Sequence, residues 1–119
     1  MNKKTILFLL LITPLATLLT GCNGSLQQGQ LQFGIKAAQK DLWDEAIFRW
    51  NKVLQSDPNS APAHNNLAVA YEKKGLWEEA EKEYEIALKL SPGNSYIKSN
   101  YEKFKTRHED NKKDKDEKN

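Results

Sequence analysis

The chain has 119 residues, 39% of them hydrophobic and 29% charged, with 18 basic side chains against 16 acidic ones. So even a balance excludes the strongly basic face that a nucleic-acid binder presents. Cys22 is the one cysteine, so the chain has no internal disulfide framework.

At the start of the chain Lys3 and Lys4 precede an apolar run from Ile6 to Leu19, which Pro14 interrupts and which ends in Leu19-Thr20-Gly21-Cys22. Basic, apolar and then small residues have the layout of a secretory signal. The run is too short and too broken for a membrane span, which needs about 20 apolar residues. The tetrad resembles a bacterial lipobox. That resemblance implies a signal peptide over residues 1–21, diacylglyceryl on the Cys22 sulfur, cleavage before Cys22 and acylation of its new amino group. Two acyl chains hold a protein stably on its membrane, where one holds it marginally. No cofactor beyond this covalent lipid is expected. Cleavage would remove Lys3 and Lys4 and no acid, leaving 16 bases against 16 acids, and both neutrality and export argue against a nucleic-acid partner. Residues 22–26 are read as the lipidated Cys and a short tether of roughly 10 Å, at about 3.5 Å per residue, before a first helix near Ser25. Asn23 stands where an Asp favours inner-membrane retention in enteric-type sorting. The expected place is the periplasmic face of the outer membrane in a cell with two membranes, and the outer face of the membrane in a cell with one.

Residues 27–60 and 61–94 superimpose without a gap, position 27 on position 61 and so on to the end of each stretch. Leu42/Leu76, Trp43/Trp77, Glu45/Glu79, Ala46/Ala80, Leu54/Leu88 and Pro58/Pro92 are identical pairs. Phe33/Leu67, Gly34/Ala68, Trp50/Tyr84 and Val53/Ala87 keep their size class. A unit of this length is two helices and a turn. The second unit resembles the tetratricopeptide repeat (TPR) through Leu67, Ala68, Tyr71, Gly75, Ala80, Tyr84, Ala87 and Pro92, with His64 where that family has an aromatic. The first departs further, with Gln30, Ala37 and Asp41 off pattern, while Phe33, Gly34, Ala46, Trp50, Val53 and Pro58 fit. Small residues at 34, 46, 68 and 80 suit closely crossing helices.

Within each unit the second helix shows one apolar stripe. Trp43, Ala46, Ile47, Trp50, Val53 and Leu54 lie at helical spacing, and Trp77, Ala80, Tyr84, Ala87 and Leu88 repeat it. Asp57-Pro58 and Ser91-Pro92-Gly93 end these helices, Ser60 and Asn94 or Ser95 are the caps of the next ones, and Pro62 fits a first helical turn. A cap helix over residues 95–105 carries Ile97, Tyr101 and Phe104 inward. Residues 106–119 contain no apolar side chain and are expected to remain a disordered charged tail. The predicted fold is all-α, a short α-solenoid of two TPR helix-turn-helix repeats plus a C-terminal capping helix. Two repeats are few for such a stack, which generally needs about three. Self-association could supply burial: Leu26, Leu31, Phe33 and Ile35 spread too widely around the first helix for all of them to face the second.

The resemblance implies a peptide-binding groove along the first helix of each repeat. Carried through the repeat register, this gives Gln28, Leu31, Ile35, Ala38 and Gln39 from the first repeat, and Pro62, Asn65, Asn66, Val69, Glu72 and Lys73 from the second. An apolar floor with an amide rim suits an extended peptide or an amphipathic helix. Some family members clamp a C-terminal carboxylate with cations; here those positions read Leu31, Ile35, Asn66, Tyr96 and Asn100, of which one matches, so no such clamp is expected. No catalytic or metal-binding set appears: His64 replaces a packing aromatic and reads as a partly buried neutral ring, His108 falls in the expected tail, and the glutamates from Glu78 to Glu85 form a solvated face. The chain is thus read as a membrane-anchored TPR lipoprotein, an adaptor or scaffold that binds another envelope protein or a peptide segment of one. Its plan is similar to that of repeat lipoproteins that assist secretin or pilus assembly, outer-membrane protein insertion or cell-wall enzyme recruitment. The alternative is a homodimeric structural lipoprotein with no separate client.

Overall fold

The computed structural model describes the backbone of residues 13–117 and the side chains of residues 24–117. The signal-peptide and lipidation expectations rest on side chains outside the described residues. Among the described residues five helices follow in order: α1 Thr13–Ala38, α2 Trp43–Ser56, α3 Ala61–Lys73, α4 Trp77–Leu90 and α5 Ser95–Asp116. Among the described residues there is no strand. Each helix packs on the next, and α1 also touches α3, so two helical hairpins and a closing helix stack into a short α-solenoid.

The repeat shows in its details. Ala46 and Ala80, the crossing residues of α2 and α4, are both fully buried, as is Ala68 in α3. Opposite Ala46's helix, Gly34 has no room for a side chain: a Cβ there would run into the Trp50 indole, with Cδ1 and Cε2 each at 2.7 Å. Both helix-to-helix turns close the same way. Leu42 N–H donates to the Ala37 carbonyl, and at the equivalent place in the second repeat Leu76 N–H donates to that of Tyr71. Each turn needs one left-handed residue, Gly75 (φ 73°) in the second and Asp41 (φ 58°) in the first. The Ser60 hydroxyl caps α3 from the Ala63 N–H, and the Asn94 side chain caps α5 from the N–H groups of Tyr96 and Ile97.

His64 occupies the aromatic position of its repeat as a polar strut. Its Nδ1 lies 2.6 Å from Glu83 Oε2 and its Nε2 2.9 Å from the Pro58 carbonyl oxygen. Both ring nitrogens thus have polar partners, one on α4 and one in the loop before α3, so the ring is held in place as well as packed. The first repeat has the same strut in other residues: Arg49 Nη1 donates to Gln30 Oε1 at 3.2 Å, from the two positions that the register lays on Glu83 and His64.

The structure corrects two boundaries. Residues 22–26 are not an extended tether, because α1 runs unbroken from Thr13. After Pro14 no residue of α1 lacks an N–H, and glycines in a helix cost only about 1 kcal/mol each. At the other end, the expected disordered tail over 106–119 is replaced by helix as far as Asp116. The reason is His108, which lies 5.4 Å from Trp77, ring over ring, and also contacts Phe104. With Ile97, Tyr101 and Phe104 it completes a stripe at i, i+4, i+7 and i+11 against α4.

Candidate functional site

Two clefts run side by side over the faces of α1, α3 and α5. The first, about 350 Å³, is apolar: Ile35 and Ala38 from α1, Trp43 and Trp50 from α2, Val69 from α3 and Tyr96 from α5, with the Gln39 and Asn66 amides at its edge. The second, about 340 Å³, shares Val69 and Tyr96 with it and continues past Glu72, Lys73, Tyr84, Asn100, Lys103 and Arg107. The two form one groove whose floor changes from apolar to polar at Val69 and Tyr96.

The charges at the polar end are unequal. Glu72, the carboxylate in its lining, accepts from Arg107 Nε at 2.5 Å and from the Tyr84 hydroxyl at 3.3 Å. Burial, and next the charge of Glu72, push the Tyr84 phenol well above its usual range, so Tyr84 remains a donor. With Glu72 neutralised by Arg107, the exposed Lys73 and Lys103 leave this end net positive. Lys73 was expected at the groove; Lys103 and Arg107 on α5 add to it. The clamp positions themselves hold no cation; the net charge comes from Lys73 on α3 and from Lys103, one turn past Asn100 on α5, while Arg107 is paired with Glu72. A signal for this was present in the sequence, since Tyr96, Asn100, Lys103 and Arg107 fall at i, i+4, i+7 and i+11, one residue behind the packing stripe.

Of the residues expected in the groove, Ile35, Ala38, Gln39, Asn66 and Val69 meet in the apolar cleft, and Glu72 and Lys73 in the polar one. Four others do not join them. Gln28 and Leu31 line, with Pro62, a separate cleft of about 410 Å³ at the loop end of the stack. Asn65 is buried: its Oδ1 accepts from Asn100 Nδ2 at 3.1 Å and its Nδ2 faces Asn66. It fastens α5 to α3 and is not open to a ligand. Trp43, Trp50 and Tyr96 line the cleft beyond the residues expected there; the apolar stripe of α2 assigns Trp43 and Trp50 to the core, and Tyr96 was considered only as a clamp position. Among the described residues no cluster of His, Cys, Asp or Glu could hold a metal ion, and no helix is long and apolar enough to cross a membrane.

This groove on stacked helical hairpins is that of an all-α repeat protein of the interaction-module type. Residues 38–75 match the TPR repeat profile and residues 61–94 the tetratricopeptide repeat profile, so residues 38–94 are similar to tetratricopeptide repeats. Among curated proteins, the type IV pilus assembly protein PilF of Pseudomonas aeruginosa is 32% identical over 108 residues, 79% of this chain and 43% of its own length. The mouse (Mus musculus) protein O-mannosyl-transferase TMTC4 is 44% identical over 50 residues, 42% of this chain and 7% of its own length. This chain thus spans less than half of either relative. Of solved structures, the TPR domain of Arabidopsis OM64 aligns with a TM-score of 0.45 and 15% identity over 71% of this chain and 98% of its own.

Proposed function

We propose that this chain is a lipid-anchored adaptor of the bacterial envelope, which holds a peptide segment of another envelope protein in the groove of α1, α3 and α5. The observation that carries the reading is the continuity of the two clefts through Val69 and Tyr96. An extended or helical segment fits there with apolar anchors at the Ile35 end and acidic side chains at the Lys73, Lys103 and Arg107 end. The lipobox at Cys22 supports membrane attachment, and the likeness to a pilus assembly protein supports an envelope role, with client assembly as the service rendered.

Photo-crosslinking in living cells from probes at Ile35 and Val69 tests this, with exposed Lys82 on α4 as the control. A distinct envelope protein captured from the two groove positions alone is the expected result. Ile35→Glu and Val69→Glu are expected to abolish capture while leaving helicity unchanged. Capture equal at all three positions overturns the groove, and crosslinks to the chain itself alone favour the homodimer.

A further inference from the structure

The outer side of the first repeat is built unlike its counterpart in the second. In α3, Ala63, Leu67 and Ala70 are buried, Leu67 to 1% exposure, because α2 of the preceding repeat covers them. The same register positions in α1 are Gly29, Phe33 and Lys36. No helix among the described residues covers this face: Phe33 is 57% exposed and Leu26, one turn before Gly29, is 66% exposed. Beside it α2 contributes Phe48, itself half exposed.

Cations surround these rings. Arg49 stands over both Phe33 and Phe48, at 5.8 and 5.6 Å from their centres, Lys36 stands 5.9 Å from Phe33, and Lys52 stands 5.5 Å from Phe48. The acid among them, Glu45, is bonded to Arg49 at 2.6 Å. The patch is therefore apolar with a net positive rim. A second copy of the same patch would bring like charges together, whereas a phospholipid surface with anionic headgroups complements both features.

Register adds a second argument. Because α1 is continuous from Thr13, residues 22, 26, 29, 33 and 36 fall on one helical stripe, at steps of four, three, four and three. Position 22, the expected attachment point, therefore shares the backbone register of Leu26, Phe33 and Lys36.

We infer that the outer face of α1 and α2 lies on an anionic phospholipid surface, with Leu26, Phe33 and Phe48 at the headgroup boundary and Lys36 and Lys52 on the phosphates. α1 then runs along the membrane, and the groove opens on the other side of the helix, away from lipid. The alignment of the anchor rests on the lipoprotein reading; the patch does not.

The test uses the full chain, processed in cells and purified from membranes, with a nitroxide on Phe48→Cys or on Lys82→Cys, the equivalent position one repeat on. In phosphatidylethanolamine–phosphatidylglycerol vesicles the label at 48 is expected to show several-fold lower accessibility to a water-soluble nickel chelate than the label at 82, and higher accessibility to oxygen. Lys36→Glu with Lys52→Glu is expected to return it to water. Intact mass reads the lipid on Cys22 separately. Equal nickel accessibility at 48 and 82 in a chain shown to be lipidated overturns the inference, and so does shielding at 48 that persists in detergent with spin–spin broadening between copies. Shielding at 48 in an unlipidated chain keeps the surface and removes the lipoprotein reading.

Discussion

At the crossing inside the first repeat Gly34 lies against Trp50; one repeat later Ala68 packs in one cluster with Tyr84. The two pairs fill the same space with different partitions of volume. Trp50 Nε1 donates to the Leu31 carbonyl of α1, while the Tyr84 hydroxyl reaches Glu72. Each large ring thus found a polar partner of its own, as a buried Trp or Tyr must. The struts differ likewise, Gln30 with Arg49 against His64 with Glu83. The repeat period therefore specifies places and volumes, and the chemistry at each place is free so long as its partner changes with it.

Exchanging partners between the repeats is the strongest way to break that comparison. Gly34→Ala raises helix propensity, yet its methyl would meet the Trp50 ring, and overpacking of this kind is expected to cost up to about 3 kcal/mol in thermal or urea unfolding. Adding Trp50→Tyr reproduces the pairing of the second repeat and is expected to recover most of the loss. A double variant no more stable than Gly34→Ala alone would show that the repeats do not share one crossing.

Replacing the second strut, His64→Leu, removes the ring's contacts with Glu83 and the Pro58 carbonyl. A loss of about 2 kcal/mol is expected, at about 1 kcal/mol for each hydrogen bond lost. Urea midpoints check it; an unchanged midpoint would reduce the strut to decoration.

Tyr84→Phe tests the ring chemistry of the second repeat. At neutral pH it is expected to cost about 1 kcal/mol, the worth of one hydrogen bond. Burial and Glu72 raise the Tyr84 pKa above its unfolded value. The folded chain therefore keeps this proton at pH values where the unfolded chain releases it. Its stabilisation is complete below about pH 10 and drains away as pH rises beyond. The expected result is a shallower alkaline decline in the Phe variant between about pH 10 and 12; parallel curves would contradict it.

The smallest effect concerns the turns. Asp41→Gly gives the first turn the residue that the second already has, relieving a left-handed backbone with a side chain, and is expected to stabilise by about 0.5 kcal/mol. A lower melting temperature would mean that Asp41 makes a compensating contact.

The helices of both repeats, the ends of α2 and α4, the caps at Ser60 and Asn94 and the crossing residues were legible because they depend on local spacing and turn chemistry. Ile35, Ala38, Val69 and their neighbours were legible as a groove because the repeat register carries a face from one unit to the next. Asn65 is misplaced by the same register: it gives a direction from the helix, but α5 arrives over that direction and turns an apparent groove amide into a fastening. His108 reads as tail because its neighbours are all polar, although it stands four residues beyond Phe104 in the packing stripe.

The sequence by itself determined the repeat, the number of hairpins and the sidedness of their second helices, since periodicity and capping act within a few residues. Only the tertiary structure decided which α1 face is left open, where α5 ends and where the groove becomes positive. Those depend on which helix lies beside which, and burial by a neighbour distant in sequence leaves no mark in local spacing.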